Sequence, residues 1–307
     1  MFQKNRILWI ALVLLLALPM VVAAQQRPLY SQYQFNGLLL NPAYAGFQKQ
    51  LNATLQYRDQ WVNFEGAPNI QTLSVHAGLS DRKIGIGGLI YRDEVGIHED
   101  FAFYGFYSYQ VPTAAGTLSL GLQGGFNYRN DRFDRLNEAD GGDPLTGTGQ
   151  VRFFKPNFGT GVYFYNEKFF AGASIPYMLA TPVFELSEVL SEVRDARNYY
   201  VMGGVLIELM DNLGYRPTVL LRMQDGSPLG IDINNSLVIH DKVFFGIGWR
   251  SGDALFTVFE VQMNDNLRFG YSFDFITSDI RSYATGSHEF MLSYRINLSP
   301  NPCLSYF

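Results

Sequence analysis

The chain has 307 residues, with 23 Lys and Arg against 28 Asp and Glu, for a net charge of −5. That balance disfavours a nucleic-acid binder, which would carry a basic stripe, and the single cysteine, Cys303, excludes an intramolecular disulfide framework. Aromatic residues reach 15%, with 25 Phe, 19 Tyr and 30 Gly, while charged residues make up only 17%; ordinary soluble domains carry roughly 25% charge.

The first residues read as an export signal. Lys4 and Arg6 precede an apolar run over 7–18, and 19–24 ends in small residues, so a Sec-type signal peptide over 1–24 is expected, cleaved after Ala24. The apolar run is shorter than the about 20 residues a membrane anchor needs, and Pro19 falls near its end. No Cys stands at the cleavage point for lipoprotein attachment. Removing Lys4 and Arg6 would leave 21 basic against 28 acidic side chains. No later stretch is apolar enough for a transmembrane helix. An exported, aromatic, Gly-rich chain of low charge points to an all-β fold, an outer-membrane β-barrel.

The expected organisation is an N-terminal segment over 25–50, a barrel over 51–298 and a tail over 299–307. The segment contains SQYQFNGLLLNPAYAG (31–46). Asn41-Pro42 favours a turn and Gly46 permits a bend before the first strand. Tyr33, Phe35, Leu38, Leu39, Leu40 and Tyr44 make it too apolar for a solvated leader. It is expected to pack, plug-like, into or under the periplasmic mouth of the barrel.

Barrel strands run about 10 residues with apolar side chains at alternate positions. The clearest are 118–128, where Leu118, Leu120, Leu122, Phe126 and Tyr128 alternate with Ser119, Gly121, Gln123, Gly125 and Asn127, and 267–275, where five apolar residues alternate with Arg268, Gly270, Ser272 and Asp274. The polar face suits a wet lumen. Strands are expected over 51–58, 69–79, 83–92, 100–110, 117–129, 157–165, 168–177, 198–209, 216–224, 229–239, 243–250, 254–263, 267–276 and 289–298, about fourteen antiparallel strands. With the N-terminus periplasmic, odd-numbered connections face outward and run long, and even ones are tight. The connections 59–68, 93–99, 130–156, 178–197 and 277–288 are odd; 80–82, 166–167, 240–241 and 264–266 are even; Gly226 and 251–253 are short outside turns that depart from the rule. Trp61 and Trp249 fall where an interfacial aromatic girdle belongs.

No enzyme is expected. His76, His98, His240 and His288 show neither a triad arrangement nor HxH or HExxH spacing, with His98 and His240 read as lying in connections. Gly85-Ile86-Gly87-Gly88 lies inside a strand, so it reads as close packing against a crowded lumen and not as a nucleotide loop. No cofactor is expected. In 130–154, Asp131, Asp134, Glu138, Asp140 and Asp143 have the chemistry of calcium ligands, but solvated surface charge is the plainer reading. In 178–197, Glu185, Glu188 and Glu192 alternate with apolar residues at helical spacing, which suggests a short amphipathic helix available to a partner.

Several motifs resemble one family. SQY and NPAYAG, then YRDQW (57–61) and GAP (66–68), RDEVG (92–96), SIPYML (174–179) and TGSHEFMLSYRI (285–296) occur in that order and are similar to the PorP/SprF family. The motif residues carried over are Arg58, Gln60, Trp61, Gly66, Pro68, Gly286, Ser287, His288 and Glu289. The resemblance implies an outer-membrane barrel of the Bacteroidetes type IX secretion and gliding-motility system. It implies partners as well, either a periplasmic lipoprotein ring with a peptidoglycan-binding protein, or a large secreted adhesin at the surface. The candidate partner-binding residues are Asn41, Pro42, Tyr44, Gly46, Trp61, Glu185, Glu188 and Glu192. The segment 31–46 and the tail are placed on the periplasmic surface, and the long connections on the outer one. Tyr306-Phe307 resembles the aromatic C-terminal signal read during barrel insertion. The rival function is a channel for small hydrophobic solutes, since a Gly-rich lumen with Tyr can line such a path.

Overall fold

The computed structural model describes residues 29–79, 83–133, 149–180 and 197–297. Its strands are β1 (Gln50–Asp59), β2 (Asn69–Leu79), β3 (Ile84–Val95), β4 (His98–Thr113), β5 (Gly116–Arg132), β6 (Gln150–Tyr165), β7 (Phe169–Tyr177) and β8 (Asn198–Val205). These are followed by β9 (Ile207–Met210), β10 (Leu213–Gln224), β11 (Gly230–Ile239), β12 (Val243–Arg250), β13 (Ala254–Gln262), β14 (Leu267–Ile276) and β15 (Ser287–Asn297). Each pairs antiparallel with its neighbour, and β1 pairs with β15 from Gln50↔Asn297 to Asp59↔His288. That seam closes the sheet into a cylinder. Closure satisfies the ladder on both sides of every stave, as a lipid-facing sheet requires.

The barrel has fourteen staves, because β8 and β9 are one strand that keeps a single register against β10 as far as Gly214, with a shift only at Leu213. The break at Leu206 lies beside Pro217 of β10, which has no N–H to give the ladder. The alternation read from sequence is the alternation of the wall. Along β1, Asn52, Thr54, Gln56 and Arg58 are buried inside, while Leu55 and Tyr57 are 54% and 40% exposed outside. Trp249, 43% exposed on β12, joins the outward apolar belt.

Several strands stand taller than their apolar pattern predicted. β3 and β4 meet at the two-residue turn 96–97, so 93–99 is not a long connection. β5 and β6 extend through 130–132 and 150–156, whose polar residues pair above the apolar belt. His98, expected in a connection, opens β4 and binds Asp131 of β5, Nδ1 to Oδ1, at 2.6 Å. The turns 114–115, 166–168, 211–212, 240–242 and 263–266 are all tight and share one rim, while the other rim carries the wide connections 60–68 and 277–286 beside the tight turns 96–97 and 251–253. By the rule that periplasmic turns are short, the first is the inner rim and the second the outer.

The lumen is not a watery bore. Residues 29–49 run through it as four short 3-10 turns, Tyr33–Phe35, Gly37–Leu39, Pro42–Tyr44 and Phe47–Lys49. Asn41 caps the third turn, its Oδ1 accepting the Ala43 N–H at 2.9 Å, with Pro42 at its first position. Phe35, Leu38, Ala43, Tyr44, Ala45 and Phe47 are all buried. The lumen-facing glycines are the footprint of this segment. A Cβ on Gly121 would collide with Pro42 and Ala43, on Gly161 with Asn41, and on Gly85 with Ala45. In this way the small face of a strand makes room for a second backbone. At the inner end Tyr44 stacks on Phe47 at 4.6 Å and meets Tyr163 edge-on at 5.7 Å and His76 at 5.5 Å.

Two outcomes follow from this packing. In hydrogen–deuterium exchange on the purified protein, the amides of 31–46 are expected to exchange as slowly as the strands around them; fast, uniform exchange would contradict their placement. Gly161→Leu, which needs the volume Asn41 occupies, is expected to make the same amides exchange fast while the barrel still forms.

Candidate functional site

Three distant motifs meet inside the outer half of the barrel. Arg58 of the YRDQW motif and Glu289 of the SHEF motif are directly paired residues on β1 and β15, facing each other across the closing seam. Both side chains point inward, where Arg58 Nη1 donates to Glu289 Oε2 at 3.1 Å and Arg58 Nη2 to Asp274 Oδ2 at 2.6 Å. The third participant is Ser31-Gln32, the start of the SQY motif. Glu289 accepts the Ser31 N–H at 2.8 Å and the Gln32 N–H at 3.1 Å, and its own carbonyl accepts Gln32 Nε2 at 3.0 Å. Ser31 Oγ donates to Asp274 at 2.7 Å.

Arg250, the last residue of β12, extends the cluster. Its guanidinium donates to Asp232 (3.1 Å), Asp274 (3.1 Å), Asp253 (3.3 Å), the Tyr30 carbonyl (3.3 Å) and Ser31 Oγ (3.1 Å), and lies over the Phe256 ring. Arg222 reaches the other oxygen of Asp232 at 2.8 Å. Three guanidinium groups thus share a site with four carboxylates, and the N-terminal segment supplies backbone donors for the extra negative charge. The members of this network other than Arg222 and Asp253 are almost wholly buried. Buried ions persist only when charge and lone pairs are matched this closely. The cluster is a latch that fixes the segment to the seam.

The other motif residues frame the latch at the outer rim. Gln60 N–H donates to the Pro68 carbonyl at 3.0 Å, and Trp61 N–H donates to Ser287 Oγ at 3.1 Å. Trp61 sits just past β1 with φ 52°, and Gly66, with φ 74°, accepts the Gly96 N–H at 2.9 Å. The Gly286 carbonyl accepts the Val62 N–H at 2.9 Å, and a side chain at Gly286 would strike the Phe273 ring. His288 faces outward, sharing a hydrogen bond with Tyr271 at 2.9 Å.

Asn41, Pro42, Tyr44 and Gly46 are brought together, but inside the lumen. Asn41 Nδ2 donates to the Val162 carbonyl at 3.0 Å, and Gly46, in the left-handed region at φ 70°, gives its N–H to His76 Nδ1 at 3.3 Å. All four are buried against the chain's own wall, so they offer no surface to a partner, and 31–46 is not a periplasmic face. Trp61 remains partly exposed at the outer rim. Glu185, Glu188 and Glu192 lie outside the described residues, as do Asp134, Glu138, Asp140, Asp143 and the tail. Asp131 is no loop carboxylate: it is buried on β5 and paired with Arg129 at 2.8 Å and with His98. Among the described residues no group of His, Cys, Asp and Glu is arranged to hold a metal.

Sequence reasoning missed Arg250, Asp232 and Arg222. The available signal was position: each is an ion on the lumen face of a strand, where it needs a partner. Removing one member of a buried pair strands the other, at about 3–5 kcal/mol. Arg58→Met is expected to destabilise the detergent-solubilised barrel by that order in urea unfolding. Ser31→Ala, which removes a hydroxyl bonded to Asp274, Arg58 and Arg250 but leaves their mutual ion pairs in place, is expected to cost about 1–3 kcal/mol. A stability unchanged in Arg58→Met would contradict the latch.

Among solved structures, the chain is similar to the CymD monoaromatic hydrocarbon channel, with TM-score 0.51 and 12% identity over 85% of this chain and 92% of that one. It is also similar to the outer membrane protein Omp33 of Acinetobacter baumannii, with TM-score 0.47 and 9% identity over 82% and 100%. Identities this low speak to the fold alone. A comparison with curated proteins found no match. The family of type IX secretion system membrane proteins PorP/SprF matches residues 22–294, nearly the whole chain and every strand but the end of the last. The chain belongs to that PorP/SprF family, as an outer-membrane β-barrel whose YRDQW, SHEF and SQY motifs close it around its own N-terminal segment.

Proposed function

We propose that the protein serves type IX secretion as a plugged outer-membrane anchor, holding partner proteins at its rims and passing nothing through its lumen. The observation that carries this reading is the lumen itself, filled from the outer to the inner rim by residues 29–49 and locked by buried charge. A closed barrel has no open edge along its belt, so partners engage loops and mouths. The wide outer connections suit a secreted surface adhesin, and the accessory role for such an adhesin is the one favoured here. The inner rim, built of tight turns, is the face available to the periplasmic lipoprotein ring and the peptidoglycan-binding component.

The second reading is a channel for small hydrophobic solutes, favoured by the fold shared with a hydrocarbon channel. It requires residues 29–49 to leave the lumen against the latch. Planar-bilayer recording separates the two. The intact protein is expected to show no steady open state, and deletion of 29–46 is expected to create one. Affinity purification from native outer membranes is expected to recover a type IX substrate or ring component with the barrel. Steady conductance or solute uptake by the intact protein, with the barrel recovered alone, would overturn the anchoring role.

A further inference from the structure

The segment in the lumen has a direction. At its upstream end, the Tyr30 hydroxyl shares a hydrogen bond with Thr72 Oγ1 at 2.7 Å, and Ser31 sits among Arg58, Arg250, Asp274 and Glu289. These wall residues stand at the outer ends of their strands. Arg58 is one residue short of the end of β1, Arg250 is the last of β12, Asp274 is two short of the end of β14, and Glu289 is two past the start of β15. At mid-height Asn36 Nδ2 donates to Gln56 and Ser74, at 2.8 and 2.9 Å. Lower down, Asn41 binds the carbonyl of Val162 and the Ala43 carbonyl accepts Ser119 Oγ at 2.7 Å. At the downstream end the Ala45 carbonyl accepts Ser108 Oγ at 2.7 Å, and Phe47 packs at 4.7 Å on Tyr165, the inner end of β6. The chain then turns into β1 at the rim of tight turns.

We infer that the exported chain enters its own barrel from the outer mouth, so that the residues ahead of Leu29 face the cell exterior. Both ends of the strand ladder lie at the periplasmic rim, so a periplasmic N-terminus would need the chain to pass the lumen twice. The lumen has no room for a second pass: Tyr30 is 9% exposed, Ser31 and Gln32 are wholly buried, and the wall glycines already touch the first pass. The described chain therefore begins at the outer mouth, with Tyr30 and Ser31 among the outer ends of β1, β12, β14 and β15.

Thiol labelling on intact cells tests this. In the full chain carrying Cys303→Ser, three single cysteines are compared with a membrane-impermeant maleimide: Gln26→Cys, Asp225→Cys in the outer turn after β10, and Asp265→Cys in the inner turn before β14. Unboiled gel mobility confirms that each barrel is folded, and N-terminal sequencing confirms removal of the leader. Gln26→Cys is expected to label on intact cells as fully as Asp225→Cys, while Asp265→Cys labels only after the outer membrane is permeabilised. A short epitope inserted after Gln26 is expected to bind antibody on intact cells. If Gln26→Cys labels only after permeabilisation, or stays unlabelled in a folded barrel, the inference is overturned.

Discussion

Closing a sheet into a membrane cylinder settles the backbone hydrogen bonds but leaves a problem on the inner face. Half of each strand's side chains point into the lumen, and in this chain they include Arg58, Arg216, Arg250, Asp232, Asp274, Glu260 and Glu289. In a wide bore, water would screen and solvate them. Here the bore is occupied, so each ion must find its partner in protein, where an unmatched charge costs several kcal/mol. The N-terminal segment and the inner wall are therefore complementary in detail, polar where Ser31 and Gln32 meet the carboxylates, and aromatic where Tyr44 and Phe47 meet Tyr163 and Tyr165.

The position of the latch ties three events together. Arg58 and Glu289 become neighbours only when β1 zips to β15, and Glu289 is satisfied only when Ser31 and Gln32 are in place. The glycine contacts at Gly121, Gly161 and Gly85 leave no gap between the seated segment and the wall. Closure, seating of the segment and charge pairing thus reinforce one another in the folded barrel. The bore of the wall is thereby filled by the chain's own segment.

Much of this fold was legible in the residues. Period-2 alternation, imposed by lipid outside and polar groups inside, marked most of the fourteen staves, while β7 and β13 alternate poorly in the sequence and were placed by the turns around them. The heights of the strands were less legible. β5 and β6 pair through Asn130↔Arg152 and Asp131↔Val151 above the apolar belt, where no lipid enforces alternation. The lumen was read as wet because Gly, Ser and Asn suit water as well as they suit a second backbone. Two signals pointed to the second option, the six apolar residues of 31–46 and the glycine-rich inner faces at Gly85, Gly121 and Gly161, but only the pairing of the two reveals a filled bore. The latch was half visible. Arg58 and Glu289 stood in motifs, whereas Arg250 and Asp232 meet them only through the register of β11 to β15.

The central claim is that the chain's own N-terminal segment fills its barrel, and a photo-crosslink reads this most directly. With azidophenylalanine at Tyr44, whose ring lies 5.7 Å from Tyr163 and 5.5 Å from His76, irradiation of native outer membranes is expected to join residue 44 to a peptide of β6 or β2 within the same molecule. Crosslinks to lipid, to other proteins or to none of the wall would contradict it.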